Sequence, residues 1–385
     1  MVYLDSAATA KYRNIDDIIV DTMVTAMKDS WMNPSSLYAS NIKDKINKCR
    51  TNIAEFIGAQ SNEIYFTSGA SESNNWAVRG WVDEIFANTL TPANIITTQI
   101  EHKSMLEAVK SKMLNARVRY CDIDEFGFVK CESLEHLLKQ CGRKPVLVSI
   151  CMANNEIGTI QDIKKISELV HKYNGVLHTD ATQALGHIPI NVEELGIDMM
   201  SCSGHKISPV LRGIGFLYKK NSIKVQPLIY GSQEQNLRGG TENTYGIIGL
   251  NKAIEYCDVN FSYELMSELC EKRDHFINLL ESKFGCKLNG HGKYRLLNNI
   301  NVTFPQNITG ESLLYMLDIS GIKVSTSSAC NSHAIEPSYV LTSIGLTDEQ
   351  AMRSVRFTLP NDITYQEIDS VINEIEKAIK IIEIN

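Results

Sequence analysis

The 385-residue chain has no apolar run long enough to span a bilayer, so no membrane partner is expected. Its first residues, Met1-Val2-Tyr3-Leu4-Asp5, lack the basic start and long apolar stretch of a signal peptide. Ten cysteines are present, yet none forms a C-x-x-C pair, so neither a zinc site nor a thioredoxin-like motif is visible. No low-complexity segment, charge run or internal repeat interrupts the chain. The net charge of −7 argues against a protein built mainly to coat nucleic acid, and no direct nucleic-acid partner is expected. These absences predict a cytoplasmic protein with reduced thiols, most of them small core residues.

What is present is an ordinary globular balance, 43% hydrophobic and 22% charged. The length suits a large domain plus a smaller one. Apolar residues at helical spacing predict helices over 14–30 and 42–56. From Glu63 the pattern becomes strand, loop, helix, repeated. Strands are expected at Ile64–Thr67, Asn94–Thr98, Pro145–Met152, Val176–Thr179, Ile197–Cys202 and Ile214–Tyr218. In a mostly parallel sheet the C-terminal ends of such strands gather on one edge, where α/β proteins bind ligands.

Ser71, His102, Asn155, Asp180 and Lys206 each stand just past a different predicted strand. Any one has a plain explanation: a helix cap, a turn residue, a surface lysine. Five equivalent placements argue for a site. A lysine desolvated at a strand end can act as nucleophile or base. A lysine and an aspartate at neighbouring ends match the needs of pyridoxal 5'-phosphate (PLP), which is held as an imine and paired through its ring nitrogen. Ser68-Gly69-Ala70-Ser71 leads into a helix, so it reads either as a phosphate cradle or as a serine N-cap.

Beyond about residue 250, long helices alternate with isolated strands such as Asn299–Phe304 and Ser354–Leu359, the pattern of a smaller α+β domain. Within it, the small polar stretch from Ser325 to His333 reads as a mobile loop. Burial cannot explain Cys330 on such a loop. Its thiolate is either a nucleophile or a chance exposed thiol.

The ordered motifs resemble those of the cysteine desulfurases, class V aminotransferase-like PLP enzymes of fold type I. They are Tyr3-Leu4-Asp5 with Ala7-Ala8-Thr9, Asn33-Pro34-Ser35-Ser36, Phe66 to Ser73, Glu101-His102-Lys103-Ser104 and Asn154 to Gly158. Asp180-Ala181-Thr182-Gln183, Ser203-Gly204-His205-Lys206, Arg238 to Asn243, Ser328-Ala329-Cys330 and Arg356-Phe357 follow. The Ser-Ser-Ala-Cys context is similar to the NifS/IscS-type group. The resemblance implies an α/β fold, with a mostly parallel seven-stranded sheet between helices and a smaller α+β domain. The large PLP-binding domain is expected at 16–251. Residues 1–15 and 252–385 are expected to form the small domain, which carries the cysteine loop at about 325–336.

By the same resemblance, Lys206 holds PLP and removes the substrate α-proton, and Asp180 pairs with the ring nitrogen. Gln183 bonds the phenolic oxygen, and His102 stacks on the ring and shuttles protons. Ala70, Ser71, Ser203 and His205 hold the phosphate, with Thr241 of the partner subunit, which implies a homodimer. Asn33, Asn155 and Arg356 orient the substrate carboxylate. L-cysteine becomes L-alanine, leaving a persulfide on Cys330 for a sulfur acceptor such as an iron–sulfur scaffold or a tRNA-thiolation protein. No resident metal is expected, although Cys330 could ligate an iron–sulfur species transiently. Three positions depart from the family pattern: Tyr38, the longer Ile207–Gly213 turn, and Pro360. The alternatives are a selenocysteine lyase or another class V aminotransferase-like enzyme, and a non-catalytic sulfur-delivery scaffold.

Overall fold

The computed structural model describes residues 1–260, 263–305, 308–326 and 336–384. The expected cysteine loop with Cys330 falls in 327–335, outside the described residues. The chain opens on a short strand, β1 (Val2–Tyr3), followed by helices α1 (Asn14–Asp29) and α2 (Ser40–Phe56). On α2 the buried Ile42, Ile46, Cys49 and Ile53 recur every three or four residues, one stripe facing the core. On α1 that stripe is narrower than the sequence suggests: Ile19 and Ala26 are buried while Ile18 and Met27 stand exposed.

Seven strands then build one sheet: β2 (Ile64–Thr67), β3 (Ala93–Thr97), β4 (Ala116–Tyr120), β5 (Val146–Ser149), β6 (Val176–Asp180), β7 (Met199–Ser203) and β8 (Gly215–Lys219). Their order is β2-β8-β7-β6-β5-β3-β4. All run parallel except β8, which pairs antiparallel with both neighbours. Helices α3 (Ala70–Asn75), α4 (Trp81–Thr89), α5 (Lys103–Lys110), α6 (Cys131–Cys141) and α7 (Ile163–Lys172) connect them. Side chains alternate between two buried faces. Phe66, Val148, Leu177, Met200 and Phe216 enter one core, with residues of α2. Tyr65, Leu147, Met199 and Leu217 enter the other, with Trp76, Trp81 and Met105. Burial on both faces is why these strands read as continuous apolar runs. Each such side chain contributes about 1.5–3 kcal/mol.

Helix α8 (Thr244–Asn260) packs on α1 and α2, and its Ile247, Leu250, Ala253 and Ile254 belong to the first core. It runs unbroken across 251/252. After α9 (Tyr263–Phe284), a second, four-stranded sheet forms from β9 (Lys287–Leu288), β10 (Asn299–Thr303), β12 (Ser325–Thr326) and β13 (Ser354–Thr358), ordered β12-β13-β10-β9. Strand β11 (Ile322–Lys323) pairs instead with β1. The core here holds Phe276, Ile300, Val302, Phe357, Val371 and Ile375, together with Leu4 from the N-terminal segment. The architecture is therefore α/β, a mostly parallel seven-stranded sheet with a smaller α+β unit.

Candidate active site

The common direction of β2, β3, β5, β6 and β7 brings their C-terminal ends to one edge. Ser71 lies in the first turn of α3, His102 caps α5, Asn155 follows β5, Asp180 ends β6, and Lys206 closes the short turn Gly204–Lys206 after β7.

Asp180 and His102 belong to one chain of hydrogen bonds. The Asn74 amide donates to Asp180 Oδ2 at 2.7 Å and to Ser104 Oγ at 3.0 Å. Ser104 Oγ lies 2.8 Å from His102 Nδ1, and the Ser104 backbone N–H donates to that same nitrogen at 3.1 Å. The other Asp180 oxygen accepts the Thr182 N–H at 3.0 Å. Asn74 is fully buried, and its Oδ1 has no partner among the described residues. Such an orphan costs about 1–3 kcal/mol. Withdrawal from water lowers the His102 pKa; the Asp180 charge opposes this, and Lys206 and Lys103 add to it.

Ser203 and His205 face the turn that opens α3. Ser203 Oγ is 2.8 Å from His205 Nδ1, and lies 3.3 Å from where a Cβ would stand on Gly69. Gly69 has a φ of +147°, open to glycine alone, and directs Ala70 and Ser71 into the helix start. Gly215, the first residue of the reversed strand β8, sits against it: a Cβ there would meet Cys202 O at 2.4 Å and Gly69 Cα at 2.7 Å. Burial lowers the His205 pKa to about 4, with the Lys206, Arg212 and His102 charges adding to the effect.

Segment 5–8 joins this edge to the second sheet. Lys206 Nζ donates to Ala7 O at 2.6 Å and Ala8 O at 2.8 Å, and Gln183 Nε2 donates to Ala7 O at 3.0 Å. Two residues earlier, Asp5 Oδ1 accepts Arg356 Nη2 at 2.7 Å. Arg356 Nη1 donates to Asn155 O at 3.2 Å, while its buried Nε has no partner among the described residues.

Asn33 and Thr241 are not among these contacts. They line a separate cavity of about 310 Å³ with Trp31, Pro34 and Glu242. Of the departures from the family pattern, Tyr38 is exposed. The Ile207–Gly213 turn is tied to the start of α1, through the Ser208 hydroxyl on Asp16 and an Arg13 bond to Ile207 O at 2.9 Å. Pro360 O accepts the Ile363 N–H at 3.2 Å.

Several participants were not singled out by sequence. Asp5, the Ala7 and Ala8 carbonyls, Asn74 and Ser104 each hold an expected site residue. A serine two places after His102 is the one local signal, since it lets a side chain cap the helix. Glu101 is fully buried behind the edge and accepts Thr98 Oγ1 at 2.7 Å. Burial pushes its carboxyl up to about 8; hydrogen bonds from Thr98 and the Cys151 N–H oppose that, and the Asp180 charge reinforces it. His178, also buried, sits between Ser149 Oγ and Ser201 Oγ, each at 2.9 Å. Its pKa falls to about 4 through burial, against the Asp180 charge.

The chain belongs to the class-V aminotransferase family: the family model described as "Aminotransferase class-V" matches residues 2–371. Its relatives there are of the NifS/IscS type. It is 41% identical over 384 residues to a protein named cysteine desulfurase IscS from Dictyoglomus turgidum, covering 98% of this chain and 94% of that one. It resembles a solved NifS-like protein with a TM-score of 0.89 at 33% identity, covering 99% of both chains. A structure titled "SspA in complex with cysteine" matches with a TM-score of 0.80 at 31% identity, over 94% of this chain and 99% of that one.

This family implies PLP, and the residues fit it. Asp180 could accept from a protonated ring nitrogen, and Lys206 could supply the amine. The bare Gly69 turn, with the Ser203–His205 pair beside it, leaves room and donors for a phosphate.

Proposed function

We propose that this protein is a PLP-dependent cysteine desulfurase, taking L-cysteine to L-alanine and loading the sulfur onto Cys330. The observation that carries this reading is the gathering of Lys206, Asp180, His102, Ser203 and His205 on one sheet edge, with Arg356 tied to the same N-terminal segment. Bound PLP supplies an electron sink for the negative charge that develops at the substrate α-carbon.

The chain's own groups do the rest. Lys206 anchors the cofactor and takes the α-proton on Nζ. With PLP bound, Asp180 would accept the ring N–H, Gln183 would donate to the phenolic oxygen, and His102 would stack on the ring. Ala70, Ser71, Ser203 and His205 hold the phosphate. Arg356 grips the substrate carboxylate with its planar fork, next to Asn155, and its Asp5 contact is the one that carboxylate must share or replace. The Cys330 thiolate attacks the substrate sulfur. The carbon–sulfur bond breaks, its electrons stay with the carbon skeleton, and added protons complete alanine. The assignment of Cys330 rests on its Ser328-Ala329-Cys330 context.

A homodimer accounts for Thr241 and Asn33, which line a cavity whose lining does not include Lys206 of their own chain. It also accounts for the exposed Trp31, Leu37 and Tyr38 beside them. Thr241 then serves the partner's phosphate, and Asn33 the substrate. Residues 16–251 form the PLP-binding domain, and 1–15 with 252–385 the smaller one; Leu4 in the second core supports that division. Among the described residues no helix is long and apolar enough to cross a membrane. The persulfide passes in the cytoplasm to an acceptor protein such as an iron–sulfur scaffold or a tRNA-thiolation protein.

The test is incubation with L-cysteine and a reductant, assaying alanine and sulfide in equal amounts. Cys330→Ser should keep the visible cofactor absorbance and lose sulfide release. Undiminished sulfide from that variant would refute the nucleophile. Half-transamination without sulfur release would indicate another aminotransferase-like reaction.

A further inference from the structure

We propose that Asn74 and Ser104 are positioning residues, which hold the His102 imidazole as a single tautomer with its proton on Nε2 and join it to Asp180. The inference rests on the reading above for what the ring faces, but its geometry stands apart from it.

Groups that can only accept or only donate fix the direction of each bond. A carboxylate accepts only, so Asn74 must present its NH₂ to Asp180 Oδ2, at 2.7 Å. The second N–H of that amide reaches Ser104 Oγ at 3.0 Å, which makes the serine oxygen an acceptor on that side. At the far end, the Ser104 backbone N–H can only donate, and it donates to His102 Nδ1 at 3.1 Å. That nitrogen therefore presents a lone pair. The Ser104 hydroxyl, 2.8 Å away and already accepting from Asn74, turns its own hydrogen to the same lone pair. With Nδ1 bare, the proton of the neutral ring is on Nε2.

The orphaned Asn74 Oδ1 fits this account. The amide has given up an acceptor bond inside the protein, and what it gains is two donor bonds, one to each side of the chain. Backbone capping of α5 and orientation of the imidazole are thus one event, fixed by the same nitrogen.

The consequence is chemical. His102 offers the crevice a hydrogen-bond donor at Nε2. It can take a second proton only by breaking both bonds at Nδ1, so it acts as a donor rather than as a base. The charged and titratable groups around the ring are Asp180 at the end of β6, Lys206 and His205 in the turn after β7, and Lys103 on α5. Only Asp180 favours protonation.

Nitrogen-15 imidazole correlation spectra of the full-length protein as purified test this, with His102 assigned through a His102→Gln variant. The expected result at neutral pH is an unprotonated Nδ1 and a protonated Nε2. Ser104→Ala removes one donor from the lone pair, so the His102 acid dissociation constant should fall by about threefold to tenfold. Asn74→Ala should move it less, in the same direction, and should add nothing in the Ser104→Ala background. A proton on Nδ1, or no shift in Ser104→Ala, would overturn the proposal. Circular dichroism checks that Asn74→Ala folds; if it does not, the tautomer and Ser104→Ala decide alone. A wild-type protein with no visible cofactor band sinks the functional reading and leaves the tautomer measurable. A yellow protein with Nδ1–H sinks only the relay.

Discussion

The strand-end residues and the loop residues of the site are held in different ways. Asp180 is 7% exposed, its strand is clamped between two cores, and each of its carboxylate oxygens has a donor. Asn33 and Thr241 lie on loops around a cavity whose lining does not include Lys206. A buried sheet edge can fix an acid and an amine to within a hydrogen bond, because moving either would disturb a packed core. Loop residues have no such support within this chain; in the proposed homodimer a second copy would supply it. One chain thus prepares the strand-end groups by itself, and the loop groups are the ones that the proposed assembly would complete.

The comparison breaks hardest at Lys206. Lys206→Ala should lower sulfide release by about a thousandfold or more and abolish the visible cofactor band, while the melting temperature stays close to wild type. A retained band would remove the lysine from the centre of the edge. Next is acid. His178 takes a proton at about 4 folded and near 6.5 unfolded, so the unfolded chain binds more protons between those values. Stability should then drop as pH falls from 6.5 toward 4, by on the order of 3 kcal/mol, and flatten below. Urea titrations read this, and His178→Asn should show a visibly smaller acid loss.

Arg356→Lys comes third. Loss of the planar fork should raise KM for cysteine by about tenfold with an unchanged circular dichroism spectrum. An unchanged KM would mean that Arg356 serves only Asp5 and the Asn155 carbonyl. The smallest effect sharpens the loop side. Thr241→Ala should weaken cofactor binding severalfold. Mixed dimers of Thr241→Ala with Lys206→Ala should regain one fully competent site, because the intact threonine lies on the subunit without the lysine. No recovery would place Thr241 in its own subunit's site.

Much of this was legible in the sequence because burial on both faces leaves its mark. Val176–Asp180 is a buried strand that ends in Asp180, itself an expected site residue, and Ile64–Thr67 is one that leads straight into the Ser68-Gly69-Ala70-Ser71 turn. Strand β4 carried no such mark. It is an edge strand in which Arg117 and Arg119 alternate with apolar neighbours, so it lacks the continuous apolar run of the central strands. The holders of the site were hidden for another reason. Ala7 and Ala8 act through carbonyl oxygens, which every residue possesses, so no pattern of side chains announces them. Asn74 sits in a polar helix start, where nothing local distinguishes it from Asn75. The domain boundary expected at 251 falls within α8, whose Ala253 and Ile254 still belong to the first core, so the helix carries no mark there in its own periodicity.

The contact between Gly69 and Gly215 carries a last consequence. Both positions are shut to any side chain, one by its dihedral angle and the other by the carbonyl and α-carbon pressed against it. An exposed position such as Tyr38 can change without disturbing a packed core. Drift at the two glycines would pry apart the first helix turn and the reversed strand, so a saturation screen should return a pair of sharp gaps at 69 and 215 within an otherwise permissive surround.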